Sequence, residues 1–154
     1  MSTTRHEVHI DALPIQVYRA LLDPEVIAQY RVPAGMSCEI HAFEPWEGGS
    51  FRVSLTYDAT PAAGKTSAHT DTYAGCFDRL VPNERVVERL RFETDHAEMQ
   101  GEMRITTELA PEGGGTRVLV VHEGLPPGVR PADNEAGWQE SLEKLAALLA
   151  PARP

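Results

Sequence analysis

Cysteine is nearly absent from this sequence of 154 residues. The two cysteines, Cys38 and Cys76, are too few and too far apart for a zinc cluster or a disulfide scaffold. We therefore expect both to be small, buried side chains in a protein of the reducing cytoplasm.

Positive charge is also scarce. Lys and Arg number 14 against 23 Asp and Glu, which gives a formal net charge of -9. A chain of this charge repels phosphate backbones and anionic lipid surfaces, so we expect neither nucleic-acid nor membrane partners. A neutral, lipophilic or basic partner fits this charge better.

Long hydrophobic runs are missing. The longest uncharged apolar run covers 145–150, whereas a membrane-spanning helix needs roughly 20 such residues. Residues 1–7 contain no apolar segment of the kind found in secretory signals. We expect neither export nor membrane anchoring.

The sequence does contain enough apolar residues for a packed core. Apolar residues make up 42% and charged residues 24% of a 16.9 kDa chain, which is typical of globular proteins. This length suits one domain spanning 1–154, and we place its ordered core at about 5–149.

The order of the predicted elements favours an α+β fold. A strand over 5–10 precedes two short helices, over 14–22 and from 24 to about 29, each with a proline in its first turn. The hydrophobic period then changes to two, which predicts six antiparallel strands at 38–43, 51–57, 71–80, 85–92, 100–109 and 116–122. Short connections indicate a meander.

A long amphipathic helix follows the strands. Pro131 begins it, and Trp138, Leu142, Leu145 and Leu149 lie on one face at helical spacing. This apolar face must be buried, and the concave side of the curved sheet is the surface large enough to cover it. The sequence therefore predicts a core between the terminal helix and the sheet.

Several short motifs resemble a known family. The motifs, in order, are Val17-Tyr18-Arg19-Ala20-Leu21 with Asp23-Pro24, Phe43-Glu44-Pro45, Gly48-Gly49 with Phe51-Arg52, Gly75 before Pro82-Asn83-Glu84-Arg85, Gly114-Gly115-Thr116-Arg117, His122-Glu123-Gly124-Leu125, and Gly137-Trp138 before Ser141-Leu142. Together they resemble the family homologous to the activator of the ninety-kilodalton heat-shock chaperone ATPase, within the START-like (SRPBCC, helix-grip) superfamily. Members often end the second helix with paired tryptophans, and here Tyr30-Arg31 takes that place.

This resemblance implies a helix-grip fold: a curved antiparallel sheet of about seven strands around a long C-terminal helix, with two short helices between strands 1 and 2. START-like relatives commonly leave an apolar cavity between helix and sheet. We expect the lining of such a cavity to include Phe51, Val53, Leu55, Tyr57, Met99, Met103, Ile105 and Trp138.

Polar candidates follow from strand parity. His69, Asp71 and Tyr73 share one parity, and His122 continues the parity of Val118 and Val120, so all could face the cavity. A buried carboxylate beside an imidazole can be tuned for proton transfer. An edge pair in water, or a strut that holds the neighbouring loop, explains His69 and Asp71 as well, and His122 has a purely structural alternative.

Neither a metal nor a cofactor is indicated. The six histidines show no metal-binding spacing, and no cysteine lies near a histidine at ligand-like separation. No nucleophile elbow or redox motif is present either. We assign no catalytic residue.

Three functions follow, from different classes. The first is binding of a small lipophilic molecule in the cavity, oriented by Tyr57, His69, Asp71 and His122. The second is a cofactor-independent enzyme of the cyclase or hydratase kind, with His69 or Asp71 as the proton-transferring group. The third, implied by the resemblance, is a protein-interaction domain that regulates a chaperone.

Overall fold

The computed structural model describes residues 2–57 and 70–151. The seven strands are β1 (Ser2–Ile10), β2 (Met36–Phe43), β3 (Ser50–Tyr57), β4 (Thr70–Val81), β5 (Arg85–Phe92), β6 (Met103–Glu112) and β7 (Gly115–Leu125). The three helices are α1 (Pro14–Leu21), α2 (Pro24–Tyr30) and α3 (Pro131–Leu149), and a 3-10 turn covers Ala97–Met99.

All seven strands form one antiparallel sheet in the order β1-β7-β6-β5-β4-β3-β2. Strands β2 to β7 therefore follow one another as a meander, and β1 joins the sheet beside β7. The registers Leu55↔Asp71 and Ile105↔His122 place alternate residues of neighbouring strands on one inner face. The predicted α+β helix-grip fold is confirmed.

Local signals explain how the two short helices begin. Pro14 occupies the first turn of α1, and the side chain of Gln16 accepts a hydrogen bond from the backbone N–H of Leu13 at 2.8 Å. At α2, the Asp23 side chain accepts from the Glu25 N–H at 3.0 Å, and Pro24 follows the cap. A capping side chain and a first-turn proline together specify a helix start.

The core lies between the inner face of the sheet and the helices. Trp138, Leu142 and Leu145 of α3 are buried there, as the sequence predicts. At Gly75 of β4, a Cβ atom would collide with the carbonyl oxygen of Arg89 on β5. The glycine thus allows a close approach of two strands that any other residue would prevent.

Element boundaries differ from the predicted ones by up to three residues, and β6 and β7 each extend three residues beyond their predicted ends. Strand β6 begins at Met103 and not at residue 100, because Ala97–Met99 forms a 3-10 turn and Gly101 has a φ of 128°. Strand β1 begins at Ser2, three residues before the predicted start, and pairs with β7 along its length. None of the helices in 2–57 and 70–151 is long and apolar enough to cross a membrane.

Candidate functional site

A pocket of about 250 Å³ lies between α3 and the inner face of the sheet. Its apolar wall consists of side chains from the segment after α2, from β3, β5, β6 and β7, and from the segment before α3: Pro33, Leu55, Leu90, Phe92, Met103, Ile105, Leu125 and Val129. Its polar or aromatic wall consists of Arg31, Asp71, Tyr73, His122, Asp133, Asn134, Trp138 and Ser141. Gly137 of α3 also borders the pocket.

The pocket is small for a ligand site but large enough for a compact guest. Typical small-molecule sites occupy roughly 300–1,000 Å³, whereas an apolar cavity of about 150 Å³ is enough to bind benzene. A volume of about 250 Å³ therefore suits a molecule of one or two rings.

His122 is held in one orientation by neighbours on α3. Its Nδ1 atom lies 3.0 Å from Nε1 of Trp138 and 3.2 Å from Nδ2 of Asn134. The Oδ1 atom of Asn134 in turn accepts a hydrogen bond from Thr4 of β1 at 2.5 Å. Because the indole N–H can only donate, Nδ1 of His122 is an acceptor, and the imidazole proton belongs on Nε2.

The environment of His122 keeps the imidazole neutral. The side chain is only 7% exposed, and burial, the positive charge of Arg31 and the proximity of His6 lower its pKa to about 4. A group in this state cannot supply positive charge to the pocket near neutral pH. It can still donate one hydrogen bond from Nε2, which lies 3.3 Å from the sulfur of Met103.

His6 of β1 lies on the other side of Trp138. The two rings are stacked with centroids 6.4 Å apart and an interplanar angle of 25°. Burial lowers the pKa of His6. Its Nε2 atom is buried and has no hydrogen-bond partner among the described residues, so His6 packs mainly as an aromatic ring.

Replacing His6 by phenylalanine should leave the stability unchanged or raise it by about 1 kcal/mol, because the ring stays while a buried, unpaired nitrogen is removed. His122→Phe is the matched comparison. It should lower the unfolding free energy by about 1–3 kcal/mol, because Trp138 loses its acceptor. Urea denaturation at about pH 7 measures both, and a larger loss for His6→Phe than for His122→Phe would contradict this assignment.

Arg31 follows α2 and forms a buried ion pair beneath the pocket. Its Nη1 atom lies 2.8 Å from Oε1 of Glu88 on β5, and the two side chains are 13% and 9% exposed. Burial disfavours the guanidinium charge and is the largest single effect, but Glu88, Tyr73 and Tyr30 together outweigh it and raise the pKa of Arg31. The side chain of Tyr30 also contacts the guanidinium, and burial raises the pKa of Tyr30.

The guanidinium of Arg31 also stacks on aromatic rings. Its Cζ atom lies 5.5 Å from the centroid of Trp138 and 5.8 Å from that of Tyr73, within the range of cation–π attraction. The loop after Arg31 is attached to α3, since Lys144 Nζ donates to the carbonyl of Val32 at 2.5 Å. Arg31 therefore joins α2, the sheet and α3 at one end of the pocket.

Six of the predicted site residues border the pocket: Leu55, Asp71, Tyr73, Met103, His122 and Trp138. Ile105 borders it as well, whereas Met99 lies in the 3-10 turn and packs near Gly128. Phe51 and Val53 are buried in the core and Tyr57 is half-buried at the end of β3, none of the three in the described pocket wall. His69 lies outside the described residues.

Asp71 is nearly inaccessible to solvent, at 2% exposure. Strand parity allows Asp71 to face the cavity, and the residue is buried in the pocket wall. Its carboxyl group borders the same pocket as Tyr73 and His122. Proton transfer by Asp71 together with His69 stays a prediction.

Sequence reasoning missed Arg31, Glu88, His6 and the hydrogen-bonding role of Asn134. A signal was present for Arg31 and Glu88, since Tyr30-Arg31 stands where family members often have paired tryptophans, and Glu88 shares the strand parity of Val86 and Leu90. The pairing itself joins residues 57 positions apart, and no local pattern specifies it. Among 2–57 and 70–151, no group of three or more His, Cys, Asp and Glu side chains could hold a metal ion.

A curved antiparallel sheet, closed by a long C-terminal helix with a pocket between them, defines a helix-grip, START-like protein. The sequence model described as activator of Hsp90 ATPase homolog 1-like protein matches residues 11–150. The chain belongs to this family.

Solved structures agree with this assignment. A protein from Chromobacterium violaceum is 33% identical, with 97% of this chain and 98% of that chain covered and a TM-score of 0.87. A Rhodobacter sphaeroides protein is 22% identical, with coverage of 96% and 91% and a TM-score of 0.78. An AHSA1-like protein from Aeromonas hydrophila is 20% identical, with coverage of 99% and 99% and a TM-score of 0.71; these last two show the fold alone. No curated protein matches the sequence.

Proposed function

We propose that this protein binds a small lipophilic molecule in the pocket between the sheet and α3. The observation that supports this proposal is the composition of the pocket wall, where eight apolar side chains and Trp138 lie beside polar groups, of which His122 and Asn134 are fixed by hydrogen bonds. Binding sites for small molecules have this composition, because apolar area supplies affinity and a few polar groups set orientation.

The size of the pocket limits the affinity. A guest that buries about 300 Å² of apolar surface gains about 7 kcal/mol before the costs of association are subtracted. We expect dissociation constants on the order of micromolar to millimolar for simple hydrocarbon probes. A natural ligand would add affinity through the polar groups.

Fluorescence of Trp138 tests the proposal. The chain contains a second tryptophan, Trp46, which is 57% exposed, so the Trp46→Phe variant is used as the background in which Trp138 alone reports. Tetralin, an apolar molecule of two fused rings, should change the Trp138 emission saturably. The absence of any saturable change for tetralin and similar hydrocarbons would refute the proposal.

Gly137 allows a matched test of location. Apart from its two chain neighbours and the backbone of its own helix, a Cβ atom at this position would meet no atom within 4 Å, so the side chain of Gly137→Leu can occupy the space beside Trp138. We expect this variant to weaken tetralin binding at least about tenfold, a loss of about 1.4 kcal/mol. Gln139→Leu, on the exposed side of the same helix, should bind as the parent does; equal affinities for both variants would place the probe elsewhere.

We also propose a cytoplasmic location. The free thiols of Cys38 and Cys76 support it, because unpaired cysteines are typical of reducing compartments. Thiol labelling of the protein in intact cells, compared with the protein in lysates, distinguishes the cytoplasm from an exported location.

A further inference from the structure

We infer that the ligand of this pocket is electrically neutral and carries a carbonyl-type oxygen, which accepts a hydrogen bond from Nε2 of His122. This inference rests on the proposed function and specifies its ligand class. It follows from a hydrogen-bond donor in the pocket wall that meets only a weak acceptor, and from the charged side chains around that donor.

The donor is fixed in direction. The side-chain N–H groups of Trp138 and Asn134 both donate to Nδ1 of His122, at 3.0 and 3.2 Å, so the neutral ring carries its proton on Nε2. Thr4 orients the amide of Asn134 through its Oδ1 atom. Three residues on two elements therefore hold the imidazole, and its N–H points toward Met103 of β6.

The acceptor that this N–H meets is a poor one. The sulfur of Met103 lies 3.3 Å from Nε2, and a thioether is a weak hydrogen-bond acceptor. His122 is buried and both residues border the pocket. A ligand oxygen at this place would replace a weak bond by a strong one, and the unbranched Met103 side chain can turn aside at little cost.

The charges around the pocket favour a neutral oxygen over a carboxylate. The guanidinium of Arg31 is already paired with Glu88 at 2.8 Å and stacked on Tyr73 and Trp138, so a bound carboxylate would have to share it with Glu88. A further acidic residue, Asp133, borders the pocket. A bound carboxylate would therefore lose its hydration without gaining a counter-ion of its own, which is costly.

Three probes with one ring system separate the alternatives: tetralin, α-tetralone and the tetralin carboxylate with its carboxyl group at the same ring position. Calorimetric titration at about pH 7 should show α-tetralone binding about three- to tenfold tighter than tetralin, the gain of one hydrogen bond. The carboxylate should bind more weakly than tetralin. Tetralone binding no tighter than tetralin, or the carboxylate binding tightest, would overturn the inference.

Variants and spectra connect the preference to His122. Met103→Leu removes the competing sulfur and should keep or enlarge the preference for the ketone, whereas His122→Phe should abolish it. If His122→Phe fails to fold, the imidazole nitrogen spectrum of the unmodified protein decides instead. It should show the proton on Nε2 of His122 and a shift of that proton with α-tetralone but not with tetralin; a proton on Nδ1, or no selective shift, overturns the inference.

The two proposals fail in different ways. If no probe binds, the lipophile-binding function itself is wrong. If tetralin binds and Gly137→Leu weakens that binding, but α-tetralone binds no tighter than tetralin, the proposed function stands and only the ligand class is refuted.

Discussion

Replacing Glu88 by leucine should lower the free energy of unfolding by about 3–5 kcal/mol, which makes it one of the two largest single effects we expect in this protein. The carboxylate of Glu88 is 2.8 Å from Arg31, and both side chains are largely buried. Leucine removes the negative charge and leaves the guanidinium without its partner in a poorly solvated place. Denaturation in urea or guanidinium chloride measures the loss.

The double variant Arg31→Met with Glu88→Leu separates charge from packing. Exchanging a buried ion pair for apolar side chains of similar volume is often close to neutral, so the double variant should recover most of the lost stability. Glu108→Leu is the exposed control, since Glu108 pairs with Arg85 at 3.5 Å and the two side chains are 48% and 45% exposed. It should cost less than about 1 kcal/mol; a similar cost for Glu88→Leu would show that the buried pair contributes little.

Acid should destabilise the protein through His122. The pKa of His122 is about 4 in the folded protein and 6.5 ordinarily. Between these two pH values the imidazole is mostly protonated in the unfolded chain but mostly neutral in the folded protein. The contribution is fully present above pH 6.5 and is lost as the pH falls toward about 4. The gap of about 2.5 pH units, at about 1.4 kcal/mol per unit, corresponds to about 3 kcal/mol.

Comparison with His122→Gln isolates this contribution. Carboxyl groups titrate in both proteins, so the difference in unfolding free energy between parent and variant, followed from pH 6.5 down to about 4, reports the histidine. We expect that difference to shrink as the pH falls. His9→Gln is the control of opposite sign, because hydrogen bonds to Glu112 and Asp11 raise the pKa of His9. A difference for His122→Gln that does not change with pH would contradict the assigned burial.

Periodicity predicted most of the fold and part of the pocket. The two-residue period places Leu55, Asp71 and Tyr73 on one face of neighbouring strands, and the helical stripe of α3 brings Trp138 against them. Both patterns are local, so they can be read from the chain. Met99 shows the limit, because a 3-10 turn ends the alternation before β6 begins.

Asp71, Tyr73 and His122 were predicted from strand parity and border the pocket, but the hydrogen bonds and the ion pair around them could not be predicted, because these depend on contacts between distant segments. Thr4 meets Asn134 across 130 positions, and Arg31 meets Glu88 across 57. Each partner is unremarkable alone: a threonine in a strand, an asparagine in a helix. The meeting of β1 with α3 decides which way the imidazole of His122 faces. The meeting of the segment after α2 with β5 forms the Arg31–Glu88 ion pair.

Gly137 in α3 indicates a trade-off between the stability of the helix and the volume of the pocket. A glycine in a helix interior is about 0.5–1 kcal/mol less favourable than alanine, yet here nothing would obstruct a larger residue. Any side chain added at this point would steady the helix and reduce the space beside Trp138. Selection for thermal resistance alone should therefore enrich substitutions at position 137 that shrink the range of guests the protein can accept.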